Sequence, residues 1–512
     1  LPIFKRENPL PAICGRVCNR RCEDACTRGR VDAAVAIDEV KKFIAQRDLD
    51  AATRYVPPVV TPTRAGGFDQ KIAIIGAGPA GLSCAFYLAE KGYKPVVFEK
   101  NERPGGMLTY GIPSFKLEKD VIEAEVEIIR LMGAEFRYGV EVGRDVTLDE
   151  LRAQGFKAFY VAIGCQGGRL AGIPGEDAED VTVAVDFLRE VNSGKIDALP
   201  GRTIVVGGGN VAIDVARNAC RLGSEHVEMF CLESDAQMPA SEEERREAIE
   251  DGAHISCGWG PKEIHLDEAG RVCGITFKRC TRVFDDEGRF APEYDENDLR
   301  RVDADRVVMS IGQSIVWGDL LAGSKVELGR GQGALADPQT YQTAEPDIFV
   351  GGDVYTGPSF AIDAIAAGHE AAVSIHRFVQ PGSTLTIGRN QRRYTALDRD
   401  DVVIESYDNA SREVAHVDRE REKAAPFSEY VETFTEEQVR AETARCLGCG
   451  ASIVDPNKCI GCGLCTTKCA FDAIHLDRDR PECSTMVKYE QKLPSLGKYA
   501  LKRAIKIKFG KK

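Results

Sequence analysis

The strongest constraint in this sequence is a strand, a glycine-rich turn and a helix that recur together at two places about 130 residues apart. The first copy is the apolar run Lys71–Ile75, followed by Gly76, Gly78 and Gly81. In this spacing the glycines allow a tight turn, close approach of a pyrophosphate and packing of helix on strand. Glu99 ends the next predicted strand and can accept hydrogen bonds from a ribose. The pattern predicts a dinucleotide site.

The second copy follows the predicted strand Thr203–Val206, with Gly207, Gly209 and Asn210 at the turn. It lies between the first glycine motif and a later strand, Ile348–Asp353, that also ends in an acid. Strands and helices alternate from about residue 70 to residue 378, which is typical of doubly wound α/β domains. Because one signature is nested within the limits of the other, we expect an inserted second nucleotide-binding domain.

Ten of the 18 cysteines form two tight groups, one near each end of the chain. In a long chain without a secretory signal, this clustering favours iron–sulfur or metal ligation in a reducing cytoplasm over disulfides. The C-terminal group has the spacing of a [4Fe–4S] ferredoxin and consists of Cys459, Cys462, Cys465 and Cys469. Just upstream, Cys446 and Cys449 are candidate ligands of a second cluster, with Cys483 as a further ligand, or of a zinc ion.

The N-terminal group has one cysteine in every four residues: Cys14, Cys18, Cys22 and Cys26. A continuous helix would spread these thiols over about 18 Å at 1.5 Å per residue, too far for one cluster. We therefore expect that the chain folds back near Asn19 or that ligands upstream share these thiolates; a row of buried thiols without metal is the alternative. Because the chain opens at Leu1 rather than at Met, we expect further residues upstream.

The charge distribution separates the C-terminal tail from the rest of the chain. The net charge is −13, but residues 486–512 hold eight Lys and one Arg against one Glu, which leaves −21 on the remainder. Nucleic acid is therefore a poor partner for the acidic body, and we expect none to bind there. The tail could dock on an acidic protein or an anionic surface, or could be a solvated basic end. The longest uncharged stretch, residues 72–89, is broken by Gly and Pro, so we predict no transmembrane segment.

Several segments resemble the glutamate synthase small-subunit family, whose relatives include dihydropyrimidine dehydrogenase and the bifurcating NADH-dependent ferredoxin:NADP oxidoreductases. These segments are the first glycine motif, Gly105-Gly106, Ile348–Asp353 and the Cys-Gly-Arg-Val-Cys run at Cys14. The resemblance covers roughly residues 9–378. It implies an α/β fold with two doubly wound domains, one for FAD and an inserted one for NAD(P), preceded by a helical N-terminal Fe–S domain. The C-terminal cysteine spacing adds a small ferredoxin-like domain to this fold.

The resemblance also implies roles for individual residues around the flavin. The first glycine motif and Glu99 would hold the ADP half of FAD, with Gly106 and Gly352 beside it. Asp353 would bond the ribityl phosphate region, and a helix beginning near Ser359 would direct its positive end at the flavin pyrimidine. The segments Ala162–Gly164 and Ser310–Gly312 resemble the family's crossovers between the two domains.

We expect seven segments along the chain. They are a helical Fe–S domain (1–65), the first part of the FAD domain (66–200), the NAD(P) domain (201–312), the second part of the FAD domain (313–380), an extended linker (381–440), a ferredoxin-like domain (441–485) and a basic tail (486–512).

Glu233 ends the strand after the second glycine motif and bears on the choice of nucleotide. Its carboxylate can accept hydrogen bonds from both ribose hydroxyls of NADH but would repel the 2′-phosphate of NADPH. Members of the family that use NADPH tend to carry two arginines there. NADH is therefore the expected nucleotide, with NADPH as the alternative if Arg245 or Arg246 reaches the site.

The remaining cysteines show no short motif of the kind that disulfide reductases place beside their flavin, and we predict that they are core thiols. They are Cys84, Cys165, Cys220, Cys231, Cys257, Cys273 and Cys280. Electrons from the flavin would then leave through the terminal clusters.

Together these features predict an NAD(P)H-dependent flavoprotein oxidoreductase that needs no catalytic side chain, because the cofactors carry the chemistry. We expect a subunit of a larger complex that exchanges electrons with ferredoxin or with a hydrogenase or formate dehydrogenase module, and an electron-bifurcating complex is one form that this would take. The alternative enzyme is the glutamate synthase small subunit, whose family usually lacks the C-terminal module. The alternative of another class is a non-catalytic relay subunit with empty nucleotide pockets.

Overall fold

The computed structural model describes residues 1–60, 67–389, 404, 407–449, 454, 458–469, 474–476 and 488–509. The chain divides into two compact units. The first consists of residues 1–387 and 402–447, and the second of residues 388–401 and 448–512. Both nucleotide signatures and the N-terminal cysteines belong to the first unit, and Cys483 lies outside the described residues.

The strands of the described residues all belong to the first unit. They are β1 (Lys71–Ile75), β2 (Val96–Glu99), β3 (Glu135–Tyr138), β4 (Phe156–Val161), β5 (Gly167–Gly168), β6 (Val181–Val183), β7 (Arg202–Val206), β8 (His226–Cys231), β9 (His254–Cys257), β10 (Trp259–Leu266), β11 (Val272–Phe284), β12 (Phe290–Val302), β13 (Arg306–Met309), β14 (Gln313–Ser314) and β15 (Ile348–Val350).

Helices precede, connect and follow these strands. They are α1 (Pro2–Glu7), α2 (Pro11–Cys14), α3 (Arg21–Asp24), α4 (Ile37–Leu49), α5 (Pro79–Glu90), α6 (Met107–Tyr110), α7 (Lys119–Leu131), α8 (Leu148–Ala153), α9 (Ala184–Asn192), α10 (Asn210–Arg221), α11 (Glu242–Glu250), α12 (Asp353–Thr356), α13 (Ala361–Val379), α14 (Arg419–Ala424), α15 (Glu436–Ala444), α16 (Leu464–Lys468) and α17 (Tyr489–Phe509).

The first parallel sheet has the strand order β15-β4-β1-β2-β3. Alternate side chains of β1 enter two different apolar layers, because successive residues of a strand point to opposite faces. Ile72 and Ile74 pack with the helices α5, α7 and α13, whereas Ala73 and Ile75 pack in the layer on the other face. The sheet is thus buried on both faces, as a doubly wound domain requires.

The second parallel sheet, with the order β6-β13-β7-β8-β9, is formed from chain between β4 and β15 of the first. This arrangement confirms the predicted insertion of one doubly wound domain into another. A short antiparallel pair, β5 with β14, joins the two crossovers between the domains.

An antiparallel sheet, β10-β11-β12, was not predicted from the sequence. It covers the face of the second parallel sheet on which Phe230 lies, and the rings of Phe230 and Phe277 stack at 3.9 Å between centroids. The second domain therefore has a helical layer on one face and a β layer on the other.

The N-terminal segment is helical but is not one continuous helix. Helix α2 ends at Cys14 and α3 begins at Arg21, and Arg20 between them has a left-handed backbone with φ 53°. The chain therefore turns beside Asn19, which is one of the two arrangements that the cysteine spacing allowed.

Residues 407–447, which we call the strap, return to the N-terminal segment. The guanidinium of Arg445 is 1% exposed and donates to Glu442 at 2.6 Å and to Asp32 at 3.0 Å. Glu442, which is fully buried, also accepts a hydrogen bond from the Ala36 amide at 2.8 Å. A buried network of charges thus joins the strap to the N-terminal helices.

The strap also contacts both nucleotide-binding domains. The Tyr430 hydroxyl accepts a hydrogen bond from Arg217 of α10 at 2.6 Å, and the ring of Phe427 packs on the core of the inserted domain. The Glu429 amide donates to Glu118, next to α7, at 3.0 Å. The strap therefore links three regions that are far apart in sequence.

The second unit contains α16 and α17 among its described residues. Helix α17 carries six of the nine basic residues of the tail. Its described side chains are exposed, and Pro494 lies within it. No helix in the described part of the chain combines the length and the low charge that crossing a bilayer requires.

The strap network gives a stability prediction. We expect Arg445→Met to lower the free energy of unfolding by about 3–5 kcal/mol, because it leaves the Glu442 carboxylate buried without its cation. The matched control is Arg440→Met: Arg440 pairs with Glu436 but is 77% exposed, and its loss should cost about 0–1 kcal/mol. Urea unfolding followed by circular dichroism compares the two variants, and equal midpoints would contradict the prediction.

Candidate functional site

The first glycine loop is closed by backbone contacts that exclude side chains. Gly76 has φ +103°, and a methyl group there would lie 2.5 Å from the carbonyl oxygen of Ala162. A methyl group at Gly81 would lie 2.0 Å from the oxygen of Gly76. Gly78, the N-cap of α5, instead faces open space, since a methyl group placed there would have no atom within 4 Å. The loop is therefore tight against the protein and open toward a ligand, as a pyrophosphate site requires.

Glu99 lies at the end of β2, beside this loop, and is 2% exposed. One carboxylate oxygen accepts a hydrogen bond from the Ala77 amide at 2.8 Å. The other accepts from the Asn101 amide at 2.9 Å and from its side chain at 2.7 Å. These bonds fix the carboxylate next to the loop, and its remaining lone pairs can accept from a ribose.

The opposite wall is formed by the segment after β15. Burial raises the pKa of Asp353 to about 6, and its carboxylate accepts a hydrogen bond from the Ser359 amide at 3.2 Å. The Ser359 hydroxyl donates to Asp363 in the first turn of α13 at 2.8 Å. Helix α13 begins at Ala361, two residues after the predicted start. Its first turn lines the cavity, so its positive end is available to a ligand.

The second glycine loop repeats the construction of the first. Gly207 has φ +141°, and a methyl group there would lie 2.2 Å from the carbonyl oxygen of Ser310. Gly209, the N-cap of α10, faces open space. The Asn210 side chain accepts a hydrogen bond from the Ser241 amide at 3.2 Å and so positions the start of α11.

Glu233 lies against this second loop. A methyl group at Gly208 would be 3.2 Å from a carboxylate oxygen of Glu233. Arg245 is already beside the following turn, where it forms an ion pair with Asp235 and donates to its carbonyl oxygen at 3.0 Å. Arg246 is 67% exposed on α11. Of the two arginines, Arg245 is thus the one placed near the nucleotide loop.

The two loops open into one cavity of about 1130 Å³. Eleven of the twelve predicted nucleotide residues line it, namely Gly76, Gly78, Glu99, Gly106, Gly207, Gly209, Asn210, Glu233, Gly352, Asp353 and Ser359. Gly81 does not, because it packs beneath its loop. The antiparallel sheet contributes further lining residues that sequence reasoning missed, including Trp259, Lys278 and Tyr294. No local motif marks them, since only the packing of β10–β12 brings them to the cavity.

The predicted cluster ligands supply suitable donor atoms. All 17 cysteines of the described residues carry free thiols. At the N-terminus, burial raises the pKa of Cys14 to about 12, and Lys41 faces both Cys14 and Cys22. Nevertheless, no three Cys, His, Asp or Glu side chains within the described ranges converge closely enough to hold a metal ion. The assignment of individual cluster ligands therefore stays a prediction.

Three stretches of the chain match known families. Residues 70–368 match the family described as pyridine nucleotide-disulphide oxidoreductase. Residues 1–53 match the dihydropyrimidine dehydrogenase domain II with a 4Fe-4S cluster, and residues 452–475 match the 4Fe-4S binding domain.

Two relatives extend this result. The chain is 34% identical to the NADP(+)-dependent formate dehydrogenase subunit beta of Moorella thermoacetica, a match that covers 88% of this chain and 66% of the relative. It is 35% identical to the glutamate synthase [NADPH] small chain of Escherichia coli, covering 73% of this chain and 81% of the relative. The chain thus spans slightly less than two thirds of the formate dehydrogenase subunit.

Among solved structures, FprA from Mycobacterium tuberculosis has a similar fold, with a TM-score of 0.53 and 19% identity over 60% of this chain and 84% of FprA. The family matches and the two relatives, rather than this fold similarity, confirm the predicted family resemblance. The chain belongs to the pyridine nucleotide-disulphide oxidoreductase family, is related to the glutamate synthase small chain and to formate dehydrogenase subunit beta, and carries a 4Fe-4S family match on either side of the nucleotide-binding region.

Proposed function

We propose that this chain is the nucleotide-oxidising subunit of an electron-transfer complex, which takes a hydride from NADH and delivers single electrons through [4Fe–4S] clusters to a partner subunit. The observation that carries the proposal is the shared cavity, because both glycine loops and the acids beside them line it. Two nucleotides, one bound at each loop, can then bring their reactive rings together in the cavity between the loops.

FAD, when bound, supplies the exchange between two-electron hydride chemistry and one-electron transfer to iron–sulfur clusters. The protein's own residues supply binding and orientation. The amides at the start of α5 would hold the FAD pyrophosphate, and Glu99 the ribose. Asp353 and the N-terminal end of α13 would bind the ribityl and pyrimidine regions. No side chain is required to exchange a proton with the nicotinamide.

We further propose that the clusters are held by the two cysteine groups that sequence analysis identified. The N-terminal group would use Cys14, Cys18, Cys22 and Cys26, and the C-terminal group Cys446, Cys449, Cys459, Cys462, Cys465 and Cys469. The C-terminal group lies exposed or half-exposed, which suits electron transfer to another protein. The formate dehydrogenase relative supports a formate dehydrogenase module as the partner. A ferredoxin or a hydrogenase module would accept single electrons in the same way.

The choice of NADH rests on the carboxylate of Glu233, which lies at the second loop and disfavours a 2′-phosphate. The names of both relatives specify NADP or NADPH instead. Arg245 is the side chain through which this chain could bind the additional phosphate, but Asp235 already occupies its guanidinium. NADPH is therefore the second candidate, and it requires that Arg245 leave Asp235.

Two rival functions remain distinguishable by experiment. A glutamate synthase small subunit would support glutamate formation when combined with a large partner, whereas the proposed subunit would not. A relay subunit with empty pockets would show no flavin spectrum that NADH or NADPH can bleach. Anaerobic stopped-flow mixing of the full chain with each nucleotide therefore tests the proposed function directly.

The two N-cap glycines give a reciprocal test of the nucleotide sites. We expect Gly78→Ala to lower FAD affinity about tenfold or more, because the new methyl group occupies the space of the pyrophosphate. Gly209→Ala should retain FAD and weaken the nicotinamide nucleotide by a similar factor. Neither methyl group meets a protein atom within 4 Å, so both variants should fold. Flavin content and nucleotide KM measure the two effects, and identical losses in both variants would refute the assignment.

Glu233 gives a test of nucleotide choice. We expect Glu233→Gln to reduce the preference for NADH over NADPH about tenfold, because the repulsion between the carboxylate and the 2′-phosphate is removed. The control is Glu263→Gln, which changes an exposed carboxylate outside the cavity lining. If kcat/KM for NADPH already exceeds that for NADH in the parent protein, and Arg245→Ala abolishes the difference, the NADH proposal is wrong.

The cluster assignment predicts that flavin reduction and onward electron transfer can be separated. We expect Cys462→Ser to lose iron and acid-labile sulfide and to slow reduction of a one-electron acceptor about tenfold or more, with little change in flavin reduction by NADH. Cys273→Ser, at a half-buried thiol of β11 outside both cysteine groups, is the matched control. Unchanged iron content in Cys462→Ser would contradict the assignment.

A further inference from the structure

Two cysteines that are 26 positions apart in sequence meet at the second nucleotide loop. Cys231 ends β8 and Cys257 ends β9, and the two residues are register partners in the parallel sheet. Their side chains lie on the face that packs in the core with α10, and the two sulfur atoms are 3.5 Å apart. Because the two cysteines form no short motif, the sequence predicts them only as separate core thiols.

We propose that Cys231 and Cys257 form an oxidisable dithiol, a modification site at which a small-molecule disulfide of the glutathione type closes a protein disulfide and weakens nicotinamide nucleotide binding. This inference rests on the proposed function of the second glycine loop. It makes nucleotide binding depend on the oxidation state of this thiol pair, in addition to the electron transfer that the flavin and the clusters carry out.

The strand geometry permits the bond. Adjacent strands lie about 4.7–4.9 Å apart, which falls within the Cα separation of about 4.4–6.8 Å found in disulfides. Because register partners project from the same face, the two sulfur atoms can reach bonding distance by side-chain rotation without movement of the strands.

The exposure of the two thiols determines which of them reacts first. Cys257 is partly exposed, whereas Cys231 is 3% exposed, and burial raises the pKa of Cys231 well above its ordinary value. The Cys257 thiolate would therefore attack the small-molecule disulfide first, forming a mixed disulfide and releasing one thiol. Cys231 then loses its proton and attacks the Cys257 sulfur, which releases the second thiol. In total the protein loses two protons and two electrons, and the small-molecule disulfide gains them as it becomes two thiols.

The bond would act on the nucleotide site through Cys231. Its side chain lines the cavity, and a methyl group at Gly208 would lie only 2.8 Å from the Cys231 Cβ atom. The Cys231 thiol also donates to the carbonyl oxygen of Glu233 at 3.7 Å. A disulfide sulfur has no hydrogen to donate, so oxidation removes this contact and turns the side chain away from the loop that carries the ribose-binding carboxylate.

The experiment uses the reduced full-length holoprotein treated anaerobically with oxidised glutathione. Peptide mapping after alkylation should recover a Cys231–Cys257 linked peptide, and the KM for NADH should rise about three- to tenfold, the equivalent of one lost hydrogen bond. Dithiothreitol should restore the KM. Flavin reduction by dithionite should not change, because it bypasses the nucleotide site.

Variants separate a specific bond from general thiol damage. Cys257→Ser changes a partly exposed position and should make the KM insensitive to oxidised glutathione, as should Cys231→Ser. Cys273→Ser is the control and should remain sensitive. No linked peptide, a linked peptide with unchanged KM, or an equal rise in Cys257→Ser would overturn the inference. A reduced protein that binds neither NADH nor NADPH would instead overturn the proposed function and this regulation with it.

Discussion

The structure depends on two close backbone contacts, each between a glycine loop and a crossover that connects the domains. Gly76 faces the carbonyl oxygen of Ala162, and Gly207 faces that of Ser310, with no space for a side chain at either position. Ala162 and Ser310 precede the strands β5 and β14, which pair with each other. Both nucleotide loops are therefore anchored to one small ribbon between the domains. This constraint explains why two separately folded sheets present their loops to a single cavity.

The strap adds a second level of organisation. Its buried charges, at Arg445 and Glu442, join it to the N-terminal cysteine segment, and Tyr430 joins it to Arg217 of the inserted domain. Because unpaired charges would destabilise the protein in such positions, these side chains favour the one arrangement in which they are paired. The pairing ties the cysteine segment to both nucleotide domains within the first unit, which suits a protein in which cofactors must hold fixed relative positions.

The second nucleotide site combines features of different origin. Glu233 and the glycine loop belong to the local βαβ unit, whereas Trp259, Lys278 and Tyr294 reach the cavity from an antiparallel sheet. Arg245 comes from α11, and Cys257 from the neighbouring strand. The chemistry of the site, including its charge and its thiol pair, is thus set by several segments, although only one of them carries a recognisable motif.

The sequence alone determined the two nucleotide loops, the nesting of the domains and the terminal cysteine groups. In each case the physical requirement is local: a glycine where no Cβ atom fits, an acid at a strand end, or a thiol at fixed spacing. Only the tertiary structure decided that the loops share a cavity, that Arg445 and Glu442 pair in the interior, and that Cys231 meets Cys257. These contacts join residues whose separation is set by strand order and packing, and no short pattern along the chain encodes them.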